Sequence, residues 1–421
     1  MAKLTYISSG IPYQRLAFKE VVENQECTEW IRKTYTSMQK NPDHNYGLMF
    51  NAFVEKNFGP VVHDTFGDVL ADIHADSGGL QIVTRGLKFD AAMKQEIFET
   101  QGKYAHSAMS FDEIPVGVIG NKSVRNDLTN RYFDRERFEW CARQSGRNVA
   151  EQIKTFIAND SPAKSIFIVQ GNCYDTYMKW VEYALEEIPE ELRYKVGGVA
   201  MGAAALGEGL LENIKRGFFY TQIQQINPEA NHMHLLGVGS VTKLMPHIAF
   251  IQSGLYKDVH LTYDSTTHTS GIHMGRYYIN RKNLEFPKHF DRPKWETIYN
   301  DMCSKFEINF TLEEFHWLLN SRSDPVREKY GDRSIMIQSN ITGILGQILN
   351  FQEHVNHCLV KKKNLISFAN SNKLGNVVKT LHEIKTKEDY DHWVRNVGRS
   401  VPSKPVMSRK KSTLEGFFDV A

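Results

Sequence analysis

Asp76 closes an apolar run, Val69 to Ala75, and opens directly into Ser77-Gly78-Gly79. The run reads as a short buried strand. A carboxylate at its end, followed by two glycines that let a backbone or ligand come close, is what a substrate pocket in an α/β protein needs. The arrangement recurs along the chain. Ala105 to Phe111 ends at Asp112, Ser165 to Val169 ends at Gln170-Gly171, and Tyr194 to Val196 runs into Gly197-Gly198. His232 to Leu236 runs into Gly237-Val238-Gly239, and Val259 to Tyr263 ends at Asp264. Strand alternation puts Thr262 and Asp264 on one face, and puts Asp72 and His74 on the face of Asp76 as buried polar groups.

The stretches between these runs have helical length, so the expected elements are βα units. Functional side chains gathered at successive strand ends predict an α/β fold of the (β/α)8 TIM barrel type, whose sites lie at the carboxyl ends of the strands. A doubly wound nucleotide fold fits less well. No Gly-x-Gly-x-x-Gly follows the first strand, and Gly202 to Gly209 lacks the lysine of a phosphate loop. After about residue 300 the rhythm stops. Leu312 to Leu319, Ile341 to Leu359 and Asp389 to Val397 carry helical spacing. The expected division is a barrel over 1–300, a helical, basic region over 301–399 and a disordered tail over 400–421, where Pro, Ser and Lys prevail.

A net charge of +2 conceals an asymmetry: Lys361 to Lys411 holds 13 Lys and Arg against 4 Asp and Glu, leaving the rest of the chain at −7. Such a region is either a polyanion-binding surface or a solvated helical face with a flexible tail. No apolar run reaches membrane-spanning length, and Met1 to Tyr6 lacks the apolar core of a secretion signal. A cytoplasmic location without membrane partners is expected. Cys27, Cys141, Cys173, Cys303 and Cys358 show no paired spacing, which predicts free thiols.

Asp76-Ser77-Gly78-Gly79, Ser110-Phe111-Asp112-Glu113, Val169-Gln170-Gly171, Gly197-Gly198-Val199-Ala200, Leu236-Gly237-Val238-Gly239 and Tyr263-Asp264 stand in the order and approximate spacing of one family. The chain resembles the tRNA-guanine transglycosylase superfamily over the barrel, though not over the C-terminal region. Members exchange guanine for a 7-deazaguanine without breaking the nucleic-acid backbone. The resemblance implies that Asp264 is the nucleophile at C1′ and that Asp76 is the general acid/base for the leaving and incoming bases. It further implies that Asp112, Gln170 and the backbone of Gly198 and Val199 read the guanine edge. Ser77 belongs to the same pocket, and Leu80 and Leu236 fall where the family sandwiches the base. His234, where the family often has Tyr, is read as supporting rather than catalytic. The chemistry asks for this set: base displacement with retention needs one carboxylate for a covalent glycosyl intermediate and an acid for the leaving group, with pKa values set apart. The guanine must be flipped out or single-stranded to reach them.

Two departures bear on the substrate. The tRNA enzymes carry Cys-x-Cys-x-x-Cys and a later His as a structural zinc site. This chain offers Cys303, with Ser339 at the later position, so no cofactor is expected. Cys303 with His316, or with His354, His357 and Cys358, is a remodelled alternative, and incidental surface histidines are the preferred reading. The Pro-Thr-Arg segment and further Arg that follow the family's nucleophile are also missing, with Ser270 and His273 at the arginine positions. This profile is similar to the DNA-guanine transglycosylase branch of viruses and bacterial genomic islands, which inserts 7-cyano-7-deazaguanine or a relative and so evades restriction. Carbon in place of N7 removes a major-groove acceptor. Ser412-Thr413-Leu414-Glu415-Gly416-Phe417-Phe418 resembles a sliding-clamp-binding peptide, with Leu414, Phe417 and Phe418 as anchors and Lys411 where a Gln usually leads. The alternative is a terminal segment packing both Phe residues on its own domain. DNA, a 7-deazaguanine base and a clamp are thus the expected partners, with self-association open. A divergent tRNA enzyme and a non-catalytic nucleic-acid-binding paralogue are the competing readings.

Overall fold

Eight short apolar runs pair in parallel and close on themselves. They are β1 (Lys3–Ser9), β2 (Tyr46–Asn51), β3 (Asp72–Asp76), β4 (Ser107–Met109), β5 (Lys164–Val169), β6 (Val196–Met201), β7 (His232–Leu235) and β8 (His260–Asp264). Each pairs with the next, and β8 returns to β1 from Lys3↔His260 to Ile7↔Asp264. With helices between the strands this is a (β/α)8 TIM barrel. The computed structural model describes residues 3–9, 25–40, 45–79, 90–115, 133–171, 174–201, 227, 229–239, 241–254, 258–265, 277–279, 283–285, 292–315, 333–360, 366 and 375–398.

The described barrel helices are α1 (Gln25–Gln39), α2 (Phe58–Phe66), α3 (Ala91–Tyr104), α4 (Arg135–Ala158), α5 (Tyr174–Glu186) and α6 (Val241–Ser253). Local chemistry starts several of them. Asp90 caps α3 by accepting from the Met93 N–H at 2.8 Å, and Asp134 caps α4 through the Arg137 N–H at 2.9 Å. On α4, the buried positions Phe138, Cys141, Ala142, Ser145 and Val149 recur at three- and four-residue intervals, so one face packs inward.

Strand alternation separates two cores. Outward-facing Tyr6, Phe50, Ile73, Phe167, Leu235 and Tyr263 join Phe66, Phe98, Phe138 and Trp180 of the surrounding helices. Inward-facing Ile7, Met49, Met109, Ile166, Ile168 and Ala200 form a smaller apolar cluster that fills part of the barrel. The rest of the interior is polar, with Thr5, Asp72, His74, Ser107, His232, His234 and Thr262 all buried.

After β8 come a two-stranded antiparallel sheet, β9 (Tyr277–Ile279) with β10 (Asn283–Glu285), and the helices α7 (Arg292–Cys303), α8 (Arg333–Val360), α9 (Gly375–Leu381) and α10 (Lys387–Asn396). The helices do not stand apart from the barrel. Phe351 of α8 packs against Tyr263 of β8 at 5.9 Å between rings, Gln338 donates to Cys27 Sγ at 3.8 Å, and Trp30 of α1 donates to the Glu307 carbonyl at 2.8 Å. Thr386 and Asp389 form a capping box at the start of α10.

The (β/α)8 expectation holds, with differences in the elements. Six strand ends are legible in the sequence; β1 and β2 are additional, and β2 ends on Asn51. The segment before Gly197-Gly198 is a 3-10 turn, Glu190–Lys195, and both glycines lie inside β6 rather than beyond it. The reason is steric. A Cβ at position 198 would sit 1.8 Å from the His232 carbonyl oxygen, so glycine is what allows β6 and β7 to approach here. Among the described cysteines, Cys27, Cys141 and Cys303 are free thiols. No described helix is long and apolar enough to cross a membrane.

Candidate active site

Asp76 is the last residue of β3, and register places it beside Asn51, the last residue of β2. Asn51 Nδ2 donates to Asp76 Oδ2 at 3.0 Å, while Asn51 Oδ1 accepts the Phe53 and Val54 N–H groups at 3.1 and 3.0 Å. Those two backbone donors orient the amide, so its NH₂ faces the carboxyl. Gly78 takes φ +81°, and a Cβ there would meet Phe53 Cβ at 2.7 Å and Asn51 Oδ1 at 2.8 Å, so the turn after Asp76 demands glycine. Burial pushes the Asp76 carboxyl up to about 7, with the charges of Asp112 and Asp264 adding to it and the Gly78 and Ser77 N–H groups opposing it.

Asp264 ends β8 with 7% of its surface exposed. Its Oδ1 accepts the Gly237 N–H at 2.7 Å, and His234 Nε2 lies 3.4 Å from the same oxygen. Among the described residues the side-chain hydrogen bond of Asp264 is made through Oδ1, from Gly237, and none is made through Oδ2; His234 Nε2 makes no hydrogen bond at its 3.4 Å.

Asp112 and Gln170, just beyond β4 and β5, are both buried, and Gln170 Nε2 donates to Asp112 Oδ2 at 2.5 Å. Burial pushes Asp112 up to about 6 against the lowering effect of that hydrogen bond. Gly79 stands against Asp112: a Cβ at 79 would lie 3.3 Å from Asp112 Oδ1. Polar capacity is left over at this end of the barrel. Ser77 Oγ, Ser110 Oγ and Gln170 Oε1 are buried with no hydrogen-bond partner among the described residues. Leu236, half-buried, packs on the apolar cluster inside the barrel.

The structure therefore assembles Asp76, Ser77, Asp112, Gln170, Leu236 and Asp264 around the carboxyl ends of the strands. Gly198 and Val199 are placed deeper. They sit within the β6 ladder, paired to Ile166 and Phe167 on one side and to His232 and Met233 on the other. Leu80, the segment 202–209, residues 266–276, His316, Ser339's side chain, the side chains of His354, His357 and Cys358, and the tail with Leu414, Phe417 and Phe418 lie outside the described residues. Cys303 is exposed at the end of α7.

Below the mouth, Asp72 receives His74 Nε2 at 3.0 Å and lies near His106 Nδ1 at 3.5 Å and His260 Nδ1 at 3.9 Å. Burial works against its charge, but the imidazoles, His74 foremost, outweigh it and hold the carboxylate well below the usual range. Two groups have the donor types of a metal site, His74 with His232 and His234, and Asp72 with His232 and His260. Neither includes Cys303.

A carboxyl whose pKa is raised to about 7, at the same barrel mouth as another with one oxygen held by a backbone N–H, is an arrangement that can pair an acid with a nucleophile. No family model matches the chain, and no curated protein matches it in sequence. The site thus rests on its geometry and on the motifs that lead to it.

Asn51 escaped the reading of the sequence, although its signal has the same form as the others. Tyr46–Asn51 is an apolar run that ends in a polar residue, but no glycine turn follows to mark it. The placing of His234 against Thr262 and near Asp264 follows from the β7–β8 register, which a linear pattern does not display.

Proposed function

We propose that this protein is a DNA-guanine transglycosylase that exchanges guanine for a 7-deazaguanine, such as 7-cyano-7-deazaguanine, through a covalent deoxyribosyl intermediate on Asp264. The observation that carries this reading is the unequal treatment of two aspartates at one barrel mouth. Asp76 is pushed up to about 7 and suits an acid that protonates the leaving base, while Asp264 has one oxygen held by the Gly237 N–H and makes no hydrogen bond through the other among the described residues.

In this reading Asp264 Oδ2 attacks C1′ as the bond to guanine N9 breaks, and the leaving pair of electrons takes the proton of Asp76. Asp76, now ionised, removes a proton from the incoming base, which attacks C1′ and frees Asp264. Asp112, ionised above about 6, accepts from donors on the guanine edge, and the unspent Gln170 Oε1 and Ser110 hydroxyl add capacity beside it. Leu236 offers an apolar surface to the face of the base.

The choice of DNA over tRNA rests on the sequence: Ser270 and His273 at the family's arginine positions, the missing zinc ligands, the basic region, and the clamp-like tail. Purified protein incubated with guanine-containing DNA and 7-cyano-7-deazaguanine is expected to release guanine and incorporate the analogue, read by mass spectrometry of nucleosides. Exchange on tRNA with none on DNA reverses the substrate assignment. DNA binding with no exchange on either polymer favours the non-catalytic reading.

A further inference from the structure

Beneath Asp264 a line of buried groups crosses the polar side of the barrel. Ser107 Oγ lies 3.2 Å from His232 Nδ1, His232 Nε2 lies 2.7 Å from Thr262 Oγ1, Thr262 Oγ1 lies 2.8 Å from His234 Nδ1, and His234 Nε2 lies 3.4 Å from Asp264 Oδ1. His234 and Thr262 are fully buried, and Ser107 and His232 nearly so.

Counting protons fixes the direction of this line. Burial lowers both imidazoles, His232 strongly, so each ring is neutral and carries one proton. The Thr262 hydroxyl also carries one, and it has three neighbours: His232 Nε2, His234 Nδ1 and, at 3.3 Å, the Met233 carbonyl. Suppose Thr262 gives its proton to His232 or to Met233. His234 must then donate from Nδ1, and its bare Nε2 lone pair faces a carboxylate oxygen in a buried site, which is repulsive. Suppose instead that Thr262 donates to His234 Nδ1. Then His234 carries its proton on Nε2, toward Asp264, while His232 donates from Nε2 to Thr262 and accepts from Ser107 on Nδ1. Only the second assignment gives every pair along the line from Ser107 to Asp264 a donor and an acceptor, leaving the 3.3 Å Thr262–Met233 contact without the hydroxyl proton.

We infer that His234 is a positioning residue for Asp264, its tautomer set by Thr262, so that His234 Nε2–H and Gly237 N–H together hold Oδ1 and turn Oδ2 toward the sugar. This rests on the reading of Asp264 as the nucleophile. The 3.4 Å contact is longer than a full hydrogen bond, as catalytic contacts often are before substrate tightens them. The other titratable groups around His234 are His74 and Asp72 on β3 and His232 on its own strand, with Asp76 at the mouth above. A metal held by His74, His232 and His234 is the competing use of these rings, whose ligand atoms lie within 4.8 Å of one another. It is disfavoured because both nitrogens of His232 are already engaged, by Ser107 and Thr262.

The test compares Thr262→Val, which keeps shape and loses the hydroxyl, with Thr262→Ser, which keeps the hydroxyl. In the full-length chain with ¹⁵N-labelled histidine, ring shifts assigned through His234→Phe should show His234 in the Nε2–H form in the wild type and in Thr262→Ser. The Val variant should show a mixture. In single-turnover guanine release, Thr262→Val should lower the maximal rate 10- to 100-fold with KM within twofold. Thr262→Ser should recover to within about threefold. A His234 ring protonated on Nδ1, an unchanged rate in Thr262→Val, or one equivalent of bound transition metal lost in His234→Phe would overturn the inference. If the wild type exchanges no guanine, the functional reading fails while the ring shifts still decide the tautomer.

Discussion

At the scale of single residues, two buried carboxyls are asked to be in opposite protonation states. In the proposed reaction guanine release needs Asp76 protonated, which holds below about 7, and Asp112 ionised, which holds above about 6. The single-turnover rate of guanine release should therefore be bell-shaped, with limbs near those two values, and a rate that keeps rising through pH 8 would exclude Asp76 as the acid. Asp264→Asn should abolish the denaturant-resistant protein–DNA adduct and cut exchange by at least about 10³-fold, measured on denaturing gels and by nucleoside analysis. The same raised pKa has a stability consequence. The folded chain keeps the Asp76 proton up to about 7 whereas an unfolded aspartate loses it near 3.8, so the native state binds more protons in that window and stability falls as pH rises through it. Asp76→Asn removes the penalty. Its melting temperature should exceed that of the wild type by a few degrees at pH 8, with the gain fading as pH approaches 4.

At the scale of elements, the site depends on how closely β6 and β7 approach. Gly198 makes that approach possible, since its Cβ position lies 1.8 Å from the His232 carbonyl oxygen. Gly198→Ala should cost about 3 kcal/mol in urea unfolding, and should disturb the ring stack beneath Asp264 more than the Asp112–Gln170 pair, because β6 carries His232 and His234 as its neighbours. The strand ends Asp76, Gln170 and Asp264 were legible because an apolar run that ends in a polar residue and a turn is a local pattern. Gly197-Gly198 misled the same reading, since a glycine pair signals a turn only when no neighbouring backbone needs the room. Asn51 was invisible for a related reason: its role comes from lying beside Asp76 across the β2–β3 ladder.

At the scale of the whole molecule, the charge distribution bears on the partner. The +9 stretch from Lys361 to Lys411 stands against −7 elsewhere, so the proposed binding to nucleic acid should weaken steeply with salt. Removing residues 400–421 takes away Lys404, Arg409, Lys410 and Lys411, and should reduce the slope of log affinity against log salt by up to about 3 on single-stranded DNA. An unchanged slope would assign that tail to a protein partner or to its own domain instead. The C-terminal helices are joined to the barrel through Tyr263–Phe351, Gln338–Cys27 and Trp30–Glu307, so α8 and the strand that carries Asp264 share one core.

The order of βα units, the acids at their ends and the charged C-terminal region were determined by the linear sequence, because hydrophobic periodicity, turn residues and charge are local properties. The tertiary structure alone decided which side chains meet. Closure of the barrel between β8 and β1 brings Asp264 to the same mouth as Asp76, more than 180 residues away in the chain, and burial there, with the neighbouring acids, raises the Asp76 carboxyl above the usual range. The same holds for the line from Ser107 to Asp264, whose members come from three strands. Desolvation and cross-strand hydrogen bonds arise from packing, and no spacing within one strand encodes them.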